Sequence, residues 1–256
     1  SCLRACFEEE IRNKWKHLQL EKDRRIPRPK LGSILMQTAF VTREQLDEAV
    51  RLQHQTGEGR IGEWLLRLGA VEEHQITEAL AFQYGIPVIN LKNATASSDA
   101  VRMIPGKIAR CSGLVPVNYD DSREELRIAV SGPVNFNSQE AIRRMIKKGI
   151  VTYIGDQSAI RNLLEQYYEP ADLDLTGIPA FSSLEELVEI CNATAATAIE
   201  QRALDINAEL AQDFFWIRID FPSEAHHYFY RFVAEPQRRA EVFPKNRPLE
   251  FYAGAG

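Results

Sequence analysis

The spacing of hydrophobic and polar positions changes several times along this chain, and each change marks a new region. Residues 3–24 have apolar side chains near helical spacing, and the prolines of the basic stretch Lys22–Lys30 end that helix. This stretch is either a solvated linker or a positively charged segment that borders an anion-binding site. We predict five regions: an N-terminal helix with a basic linker (1–29), a helical subdomain (30–84), an α/β subdomain (85–169), a linker (170–181), and a C-terminal helix with a β-hairpin (182–256).

One pattern in the helical region occurs twice. KLGSILMQTAFVTREQLDEAVRLQ (Lys30–Gln53) and RIGEWLLRLGAVEEHQITEALAFQ (Arg60–Gln83) each open with a basic residue, an aliphatic residue and a glycine, and each close with a glutamine. Each copy predicts a short helix, a break at Ala39 or Gly69, and a second helix, and at Gly69 the glycine can take a left-handed conformation. Two such helix pairs predict a small four-helix bundle.

The second helix of each copy carries an apolar stripe that ends in a polar residue. Thr42 and Gln45 are spaced as a capping box at the start of this helix in the first copy. Leu46, Val50 and Gln53 then follow at i, i+4 and i+7, and so lie on one helix face. Ile76, Leu80 and Gln83 repeat this stripe in the second copy, so both copies place a glutamine where the apolar stripe would continue.

The remaining regions mix strands with helices. LVPVNY and ELRIAVS predict two strands joined by a polar turn, and IVTYIG predicts a third. Helices are predicted over 100–113, broken at Pro105 and Gly106, over 137–149 with an Asn137 cap and a Gly149 stop, and over QSAIRNLLEQYYE. The stretch from Ser182 to Leu210 predicts one or two helices, and FFWIRIDF and HHYFYRFVAE predict a hairpin. The fold class expected is therefore α+β.

Composition narrows the function classes. Hydrophobic residues make up 45% and charged residues 26% of the 256, which is ordinary for a globular protein, and the net charge of −5 argues against nucleic acid as a partner. No apolar run approaches the roughly 20 residues needed to span a bilayer, and the N-terminus lacks a signal-peptide core. The four scattered cysteines indicate reduced thiols. We therefore expect a cytoplasmic protein with no transmembrane segment.

Motifs of catalysis and metal binding are missing from the sequence. It contains no GxxxxGK[ST], GxSxG, HExxH or CxxC run. His226 and His227 are adjacent in a predicted strand, so their side chains point to opposite faces and do not share a metal. We expect no catalytic residues, no bound metal and no cofactor, and hence no enzyme.

A repeated half-site suits a ligand with two equivalent halves. Arg60 can donate bidentately to a guanine edge, whereas Lys30 offers only a point charge. Gly32 and Gly62 allow close backbone approach, and the amides of a starting helix favour phosphate. Glutamine offers both donors and acceptors. The alternative is a purely structural bundle, in which the glycines serve packing and the glutamines need no ligand.

The doubled pattern resembles the N-terminal domain of type II secretion and type IV pilus assembly ATPases. This module, the MshEN or GspE N-terminal-like domain, binds cyclic di-GMP in some members. GIPVINL, IPGKIARCSGLVPVNYDDSREELRIAVSGPVN and AIRNLLEQYY resemble its α/β half, so the likeness covers about residues 30–168. The resemblance implies that the ligand is lined by Lys30, Leu31, Gly32, Leu35, Met36, Leu46, Val50, Gln53, Arg60, Ile61, Gly62, Leu65, Leu66, Ile76, Leu80 and Gln83.

The chain departs from the family pattern at three positions. Lys30 stands in place of arginine, Ala39 stands in place of a glycine and is expected to distort the turn, and Gly132 stands where many members have aspartate before proline. The departures at Lys30 and Ala39 fall in the first copy, so that copy is expected to be the weaker half-site. At Gly132 a polar contact to the ligand or to its arginine is missing.

Two functions remain open. The first is a non-catalytic regulatory module that binds cyclic di-GMP or a related nucleotide. The alternative is a protein-interaction adaptor of the same fold, docking on a secretion or type IV pilus assembly component without nucleotide binding. AIEQRALDINAEL faintly resembles the start of the next ATPase domain, with Leu204 and Asn207 replacing serine and histidine. The chain is therefore expected to be either a relative without the motor domain or a fragment of a full ATPase.

Overall fold

The protein is described here by a computed structural model that covers residues 28–132, 136–211 and 214–233. The predicted helix over 3–24, most of the basic stretch Lys22–Lys30 and the tail after Pro236 lie outside the described residues. The described residues mix helices with two small sheets, which confirms the α+β class. The five region boundaries proposed from the sequence stay a prediction.

The doubled motif folds into four helices. They are α1 (Leu31–Gln37), α2 (Arg43–Thr56), α3 (Ile61–Arg67) and α4 (Glu73–Tyr84). The predicted capping box is present at the start of α2, where Gln45 N donates to Thr42 Oγ1 and Thr42 N donates to Gln45 Oε1. The helices enclose a shared core made by Ile34, Leu35, Val41, Ala49, Leu65, Val71 and Ala79.

The turn between the helices of each copy is left-handed, as predicted at Gly69. Ala39 has a φ of 56° and Gly69 a φ of 63°. The flanking bonds also correspond, because Phe40 N donates to Leu35 O in the first copy and Ala70 N donates to Leu65 O in the second. The expectation that Ala39 distorts this turn is therefore wrong: the alanine adopts the glycine conformation, at a cost of about 1–2 kcal/mol.

The α/β unit follows the bundle. Its elements are α5 (Ser98–Met103), α6 (Gly106–Ser112), β1 (Leu114–Asp120), β2 (Glu125–Val130), α7 (Phe136–Ile146), β3 (Gly149–Ile154), α8 (Gln157–Tyr167) and α9 (Pro170–Leu173). The strand order is β1-β2-β3, with β1 antiparallel and β3 parallel to β2. The break at Pro105 and Gly106 is confirmed. However, Asn137 lies inside α7, and Gly149 begins β3 because Lys147 (φ 56°) has already ended the helix.

The bundle docks onto the start of α8 through polar contacts. Glu73 accepts hydrogen bonds from Ser158 N at 2.7 Å and Ser158 Oγ at 2.5 Å, and Thr77 Oγ1 donates to Asp156 Oδ1 at 2.5 Å. A carboxylate at a helix N-terminus is favoured by the unpaired amides and the helix dipole. This docking fixes the doubled motif relative to the α/β unit.

The C-terminal region is a sheet backed by one helix. Its elements are β4 (Ala180–Phe181), α10 (Leu184–Glu200), β5 (Asp205–Ala211), β6 (Phe214–Asp220) and β7 (Ala225–Phe232), in the strand order β4-β7-β6-β5. The predicted β6–β7 hairpin is present, but the helical prediction over Ser182–Leu210 is correct only as far as Glu200 and wrong beyond it. The chain leaves the helical conformation after α10, where Arg202 takes a φ of 55°, and residues 205–211 then pair with β6 as a strand.

The two faces of this sheet have different partners. Phe215, Ile217 and Ile219 share a core with Leu187 and Cys191 of α10. The opposite face inserts the fully buried Trp216 into the core of the α/β unit.

Polar contacts to α7 surround that insertion. Arg144 donates from Nε and Nη2 to the two carboxylate oxygens of Glu209 at 2.7 and 3.2 Å. Arg218 Nη1 donates to Met145 O at 3.1 Å, and Lys147 pairs with Asp205. The C-terminal sheet is thus fastened to the α/β unit through one helix.

Candidate functional site at the doubled motif

The two short helices of the doubled motif begin next to each other. An ideal Cβ built at Gly62 of α3 would lie 3.4 Å from Cδ2 of Leu31, the first residue of α1. Lys30 and Arg60 are the residues immediately before these helices, and both are exposed with extended backbones. The fold therefore brings the two motif-opening cations, thirty residues apart in sequence, to one end of the bundle.

The charge of these two cations is available to a ligand. Neither Lys30 nor Arg60 forms an ion pair with any carboxylate in the part of the chain that the structure describes. On α2, by contrast, Arg43 and Arg51 pair with Asp47 and Glu48 of their own helix.

The α/β unit reaches Arg60 through the segment that follows β2. A Cβ built at Gly132 would lie 3.2 Å from Nη1 of Arg60. Many members of the family that the doubled motif resembles have an aspartate at this position, and a carboxylate there would meet the guanidinium. In this chain the glycine leaves Arg60 without that partner.

The glycines of the motif serve close packing. A Cβ at Gly32 would lie 2.7 Å from Cδ1 of Leu46, and a Cβ at Gly62 would lie 3.4 Å from Cδ1 of Ile76. Leu46 and Ile76 occupy equivalent positions, so each glycine seats its short helix against the longer helix of the same copy. The approach is much closer in the first copy, so a side chain at position 32 would force Leu46 to move.

The closing glutamines bind backbone carbonyls. Gln53 Nε2 donates to Gly59 O at 2.8 Å, and Gln83 Nε2 donates to Pro29 O at 2.5 Å. Gly59 directly precedes Arg60, and Pro29 directly precedes Lys30. Each glutamine is therefore fastened to the residue before the cation of the other copy, and the two copies interlock.

The predicted aliphatic residues divide by exposure. Leu35 and Leu65 are 0% exposed and lie in the core of the bundle, whereas Leu80 is 8% exposed and packs in the core of the α/β unit. The others keep part of their surface accessible, and Met36 keeps the most, at 38%. They are Leu31, Met36, Leu46, Val50, Ile61, Leu66 and Ile76.

Sequence reasoning missed several contributors to this region. The carbonyls of Pro29 and Gly59 belong to the backbone, so no side chain in the sequence marks them as acceptors. The only signal in the sequence is their position directly before each cation. Arg28 lies with its guanidinium carbon 4.5 Å from the ring centre of Tyr84 and so pins the chain entering the first copy. Trp64 Nε1 donates to Glu58 O at 3.0 Å and pins the entry to the second copy.

An open cleft of about 720 Å³ lies between the bundle and the α/β unit, and neither Lys30 nor Arg60 lines it. Its wall includes His74, Thr77, Asn90, Lys92 and Asp156, so its charges are mixed. Among the described residues there is no group of three histidine, cysteine or acidic side chains arranged to hold a metal ion. The described helices include none that is long and apolar enough to cross a membrane.

The sequence of this chain is similar to parts of known proteins. The model of the MshEN domain family matches residues 84–173. Type IV pilus assembly ATPase PilB of Myxococcus xanthus is 28% identical over 210 residues, which cover 74% of this chain and 37% of the relative. PilB of Thermus thermophilus is 26% identical over 158 residues, 62% of this chain and 18% of the relative. Bacteriophage adsorption protein B of Escherichia coli is 27% identical over 147 residues, 57% of this chain and 19% of the relative. The chain thus spans well under half the length of these relatives.

Solved structures give two further similarities. A structure of MshE with cdg shares 32% identity and covers 55% of this chain and 100% of that one, with a TM-score of 0.48. The N-terminal domain of XpsE shares 22% identity and covers 54% of this chain and 94% of that one, with a TM-score of 0.44.

Proposed function

Because this chain contains an MshEN domain, matched over residues 84–173, we propose that it is a non-catalytic regulatory module that binds cyclic di-GMP on its doubled motif. The family match covers the α/β unit, and the doubled motif precedes it directly. The ligand is named from the resemblance of the doubled motif and from MshE, a relative of 32% identity that has been solved with cdg.

The observation that carries this proposal is the interlocking of the two copies. Gln53 and Gln83 each bond to the residue before the other copy's cation, and Leu31 contacts Gly62. The copies therefore form one surface with two related halves. A cyclic dinucleotide has two guanines and two phosphates, so it can engage both halves at once.

The chemistry of this surface fits a nucleotide. Arg60 can donate to guanine O6 and N7 or to a phosphate, and Lys30 can neutralise a phosphate. Partly exposed aliphatic side chains beside them can pack on the faces of the bases. Because the whole chain has a net charge of −5, these cations provide local attraction for an anion rather than general affinity for polyanions.

Titration calorimetry with cyclic di-GMP tests the proposal. We expect Arg60→Ala to weaken binding by about 5- to 150-fold, the range for loss of a bidentate guanine contact of about 1–3 kcal/mol. Lys30→Ala should cost less, because lysine lacks the fork. Arg43→Ala, which removes an exposed cation that pairs within α2, is the matched control and should bind as the unmodified chain does.

Two results would contradict this assignment. Absence of heat at high micromolar cyclic di-GMP would rule out binding, and equal losses at Lys30 and Arg60 would refute the role of the fork. Cyclic di-AMP should bind more weakly, because adenine presents a donor at the position of guanine O6.

A second candidate function is supported by exposed apolar side chains near the C-terminal sheet. Ile199 and Leu204 are 71% and 70% exposed, and Leu204 N donates to Asp220 O at the end of β6. An adaptor that docks on a secretion or pilus assembly component would use such a surface. It predicts no calorimetric response to cyclic di-GMP, and binding to purified assembly components that is lost in Ile199→Asp but kept in Arg60→Ala.

A further inference from the structure

We propose that Gln53 and Gln83 are positioning residues that act crosswise, so that the glutamine closing one copy holds in place the cation opening the other. The inference deepens the proposed function and rests on it for the role of the cations. It assigns the glutamines a task within the protein, whereas the resemblance implies that they line the ligand.

The two hydrogen bonds occupy equivalent positions in the repeat, and each joins one copy to the other. Gln53 of the first copy donates to the carbonyl before Arg60, and Gln83 of the second copy donates to the carbonyl before Lys30. Donors and acceptors are both thirty residues apart. In both cases the amide nitrogen is the donating atom, so one of its hydrogens is committed to the protein.

The short helices need such a support. Helices α1 and α3 have seven residues each, and isolated helices shorter than about 12 residues are marginal in water. Lys30 and Arg60 provide no side-chain cap to the amides that follow. Tertiary contacts must therefore set where each helix begins, and the glutamine bond lies one residue before that point.

The bond from Gln83 matters more for the start of the first copy than the bond from Gln53 does for the start of the second. Only five residues separate Gly59 from Gln53, and Arg60 N also donates weakly to Glu63 Oε2 at 3.4 Å. Pro29 lies 54 positions from Gln83, and the residue equivalent to Glu63 in the first copy is Ser33, which has no carboxylate. Loss of Gln83 should therefore release its target segment further than loss of Gln53.

Hydrogen–deuterium exchange of the ligand-free full chain tests the crosswise action directly. Gln83→Leu should speed exchange of the amides over 30–35 about fivefold, the factor for a net hydrogen bond of about 1 kcal/mol, and leave 60–65 unchanged. Gln53→Leu should show the reverse, with a smaller increase. Gln55→Leu changes an exposed glutamine two residues from Gln53 and should alter neither segment.

A charged variant separates donation from packing. Gln83→Glu keeps the size and the acceptor atoms but cannot donate to Pro29 O, so it should release 30–35 as Gln83→Leu does. Retained protection in Gln83→Glu, faster exchange in the copy that carries the substitution, or no change in either segment would overturn the proposal.

Double-mutant cycles of cyclic di-GMP affinity supply the functional readout. Gln83→Leu should couple to Lys30→Ala by about fivefold and act independently of Arg60→Ala, while Gln53→Leu should couple to Arg60→Ala. Equal coupling of either glutamine to both cations would overturn the crosswise assignment. If the unmodified chain does not bind, the proposed function fails while the exchange experiment still decides the role of the glutamines.

Discussion

Protonation of His227 should loosen the C-terminal sheet as the pH falls from 7 to 5. His227 lies on the face of β7 that packs toward the α/β unit, and its Nδ1 accepts a hydrogen bond from Nε1 of the fully buried Trp216 at 3.0 Å. Burial, reinforced by the nearby Arg218 guanidinium, lowers the pKa of His227 from its ordinary 6.5 to about 4. The native state therefore holds a neutral imidazole that accepts from the indole.

The sign of the effect follows from that depressed pKa. The unfolded chain binds a proton below about pH 6.5, but the folded chain binds it only below about pH 4. The free energy of unfolding is therefore highest above pH 6.5, where both states hold a neutral imidazole, and it decreases as the pH falls toward 4. Between pH 7 and pH 5 the free energy of unfolding should drop by about 2 kcal/mol, within a total of roughly 3 kcal/mol for the whole shift.

The carboxylates that are paired with lysines take up protons at a lower pH than His227 does. Lys147 lowers the pKa of Asp205 below its ordinary 3.8, and Lys148 lowers the pKa of Glu124 below 4.5. Their stabilising contributions persist above their ordinary pKa and are lost only as the pH falls further. The interval from pH 7 to pH 5 therefore isolates the contribution of His227 from these carboxylates.

Urea unfolding at pH 7 and pH 5, followed by circular dichroism, measures this difference. His227→Gln offers Trp216 another acceptor and cannot titrate, so its pH-dependent loss should shrink to a few tenths of a kcal/mol. His226→Gln alters the exposed neighbour on the opposite face and should behave as the unmodified chain. An undiminished loss in His227→Gln would refute the assignment, as would a pKa near 6.5 for His227 by NMR titration.

Four further substitutions test the packing and the electrostatics of the doubled motif. Gly32→Ala should lower stability by about 1–3 kcal/mol in thermal melts because its Cβ would overlap Leu46, whereas Gly62→Ala should be near neutral. Ala39→Gly should raise stability by about 1 kcal/mol by relieving the left-handed φ of 56°, and an unchanged melting temperature would contradict that strain. Gly132→Asp should place a carboxylate beside Arg60 that orients its guanidinium and raises cyclic di-GMP affinity about threefold in calorimetry, the factor for an ion pair of about 0.7 kcal/mol. Weaker binding would show that the carboxylate competes with the ligand for Arg60.

Local signals in the sequence predicted local structure well. Gly69 predicted a left-handed turn because glycine adopts positive φ without a steric penalty, and Thr42 with Gln45 predicted a capped helix start. The same reasoning failed at 205–211, where alanine, glutamate and leucine favour a helix. Pairing with β6 and burial of Ala208 and Glu209 outweigh that preference, because helix propensities differ by less than about 1 kcal/mol per residue.

The candidate site was predicted only in part. The sequence singled out the repeated cations, glycines and glutamines, but it treated the aliphatic residues alike. The structure buries Leu35 and Leu65 completely and leaves Met36 exposed. Periodicity cannot make this distinction, because it reports which face of a helix is apolar and not how closely another helix covers that face.

By itself, the sequence determined the repeat, the helix pairs and the left-handed turn at Gly69, since each depends on residues only a few positions apart. Tertiary structure alone decided that Gln83 bonds to Pro29, that Gly132 lies beside Arg60, and that the C-terminal sheet inserts a tryptophan into the α/β core. These contacts join distant segments whose side chains carry no local mark of their partner. Whether two equivalent motifs become one surface therefore depends on how the chain packs, because only packing brings the end of one copy to the start of the other.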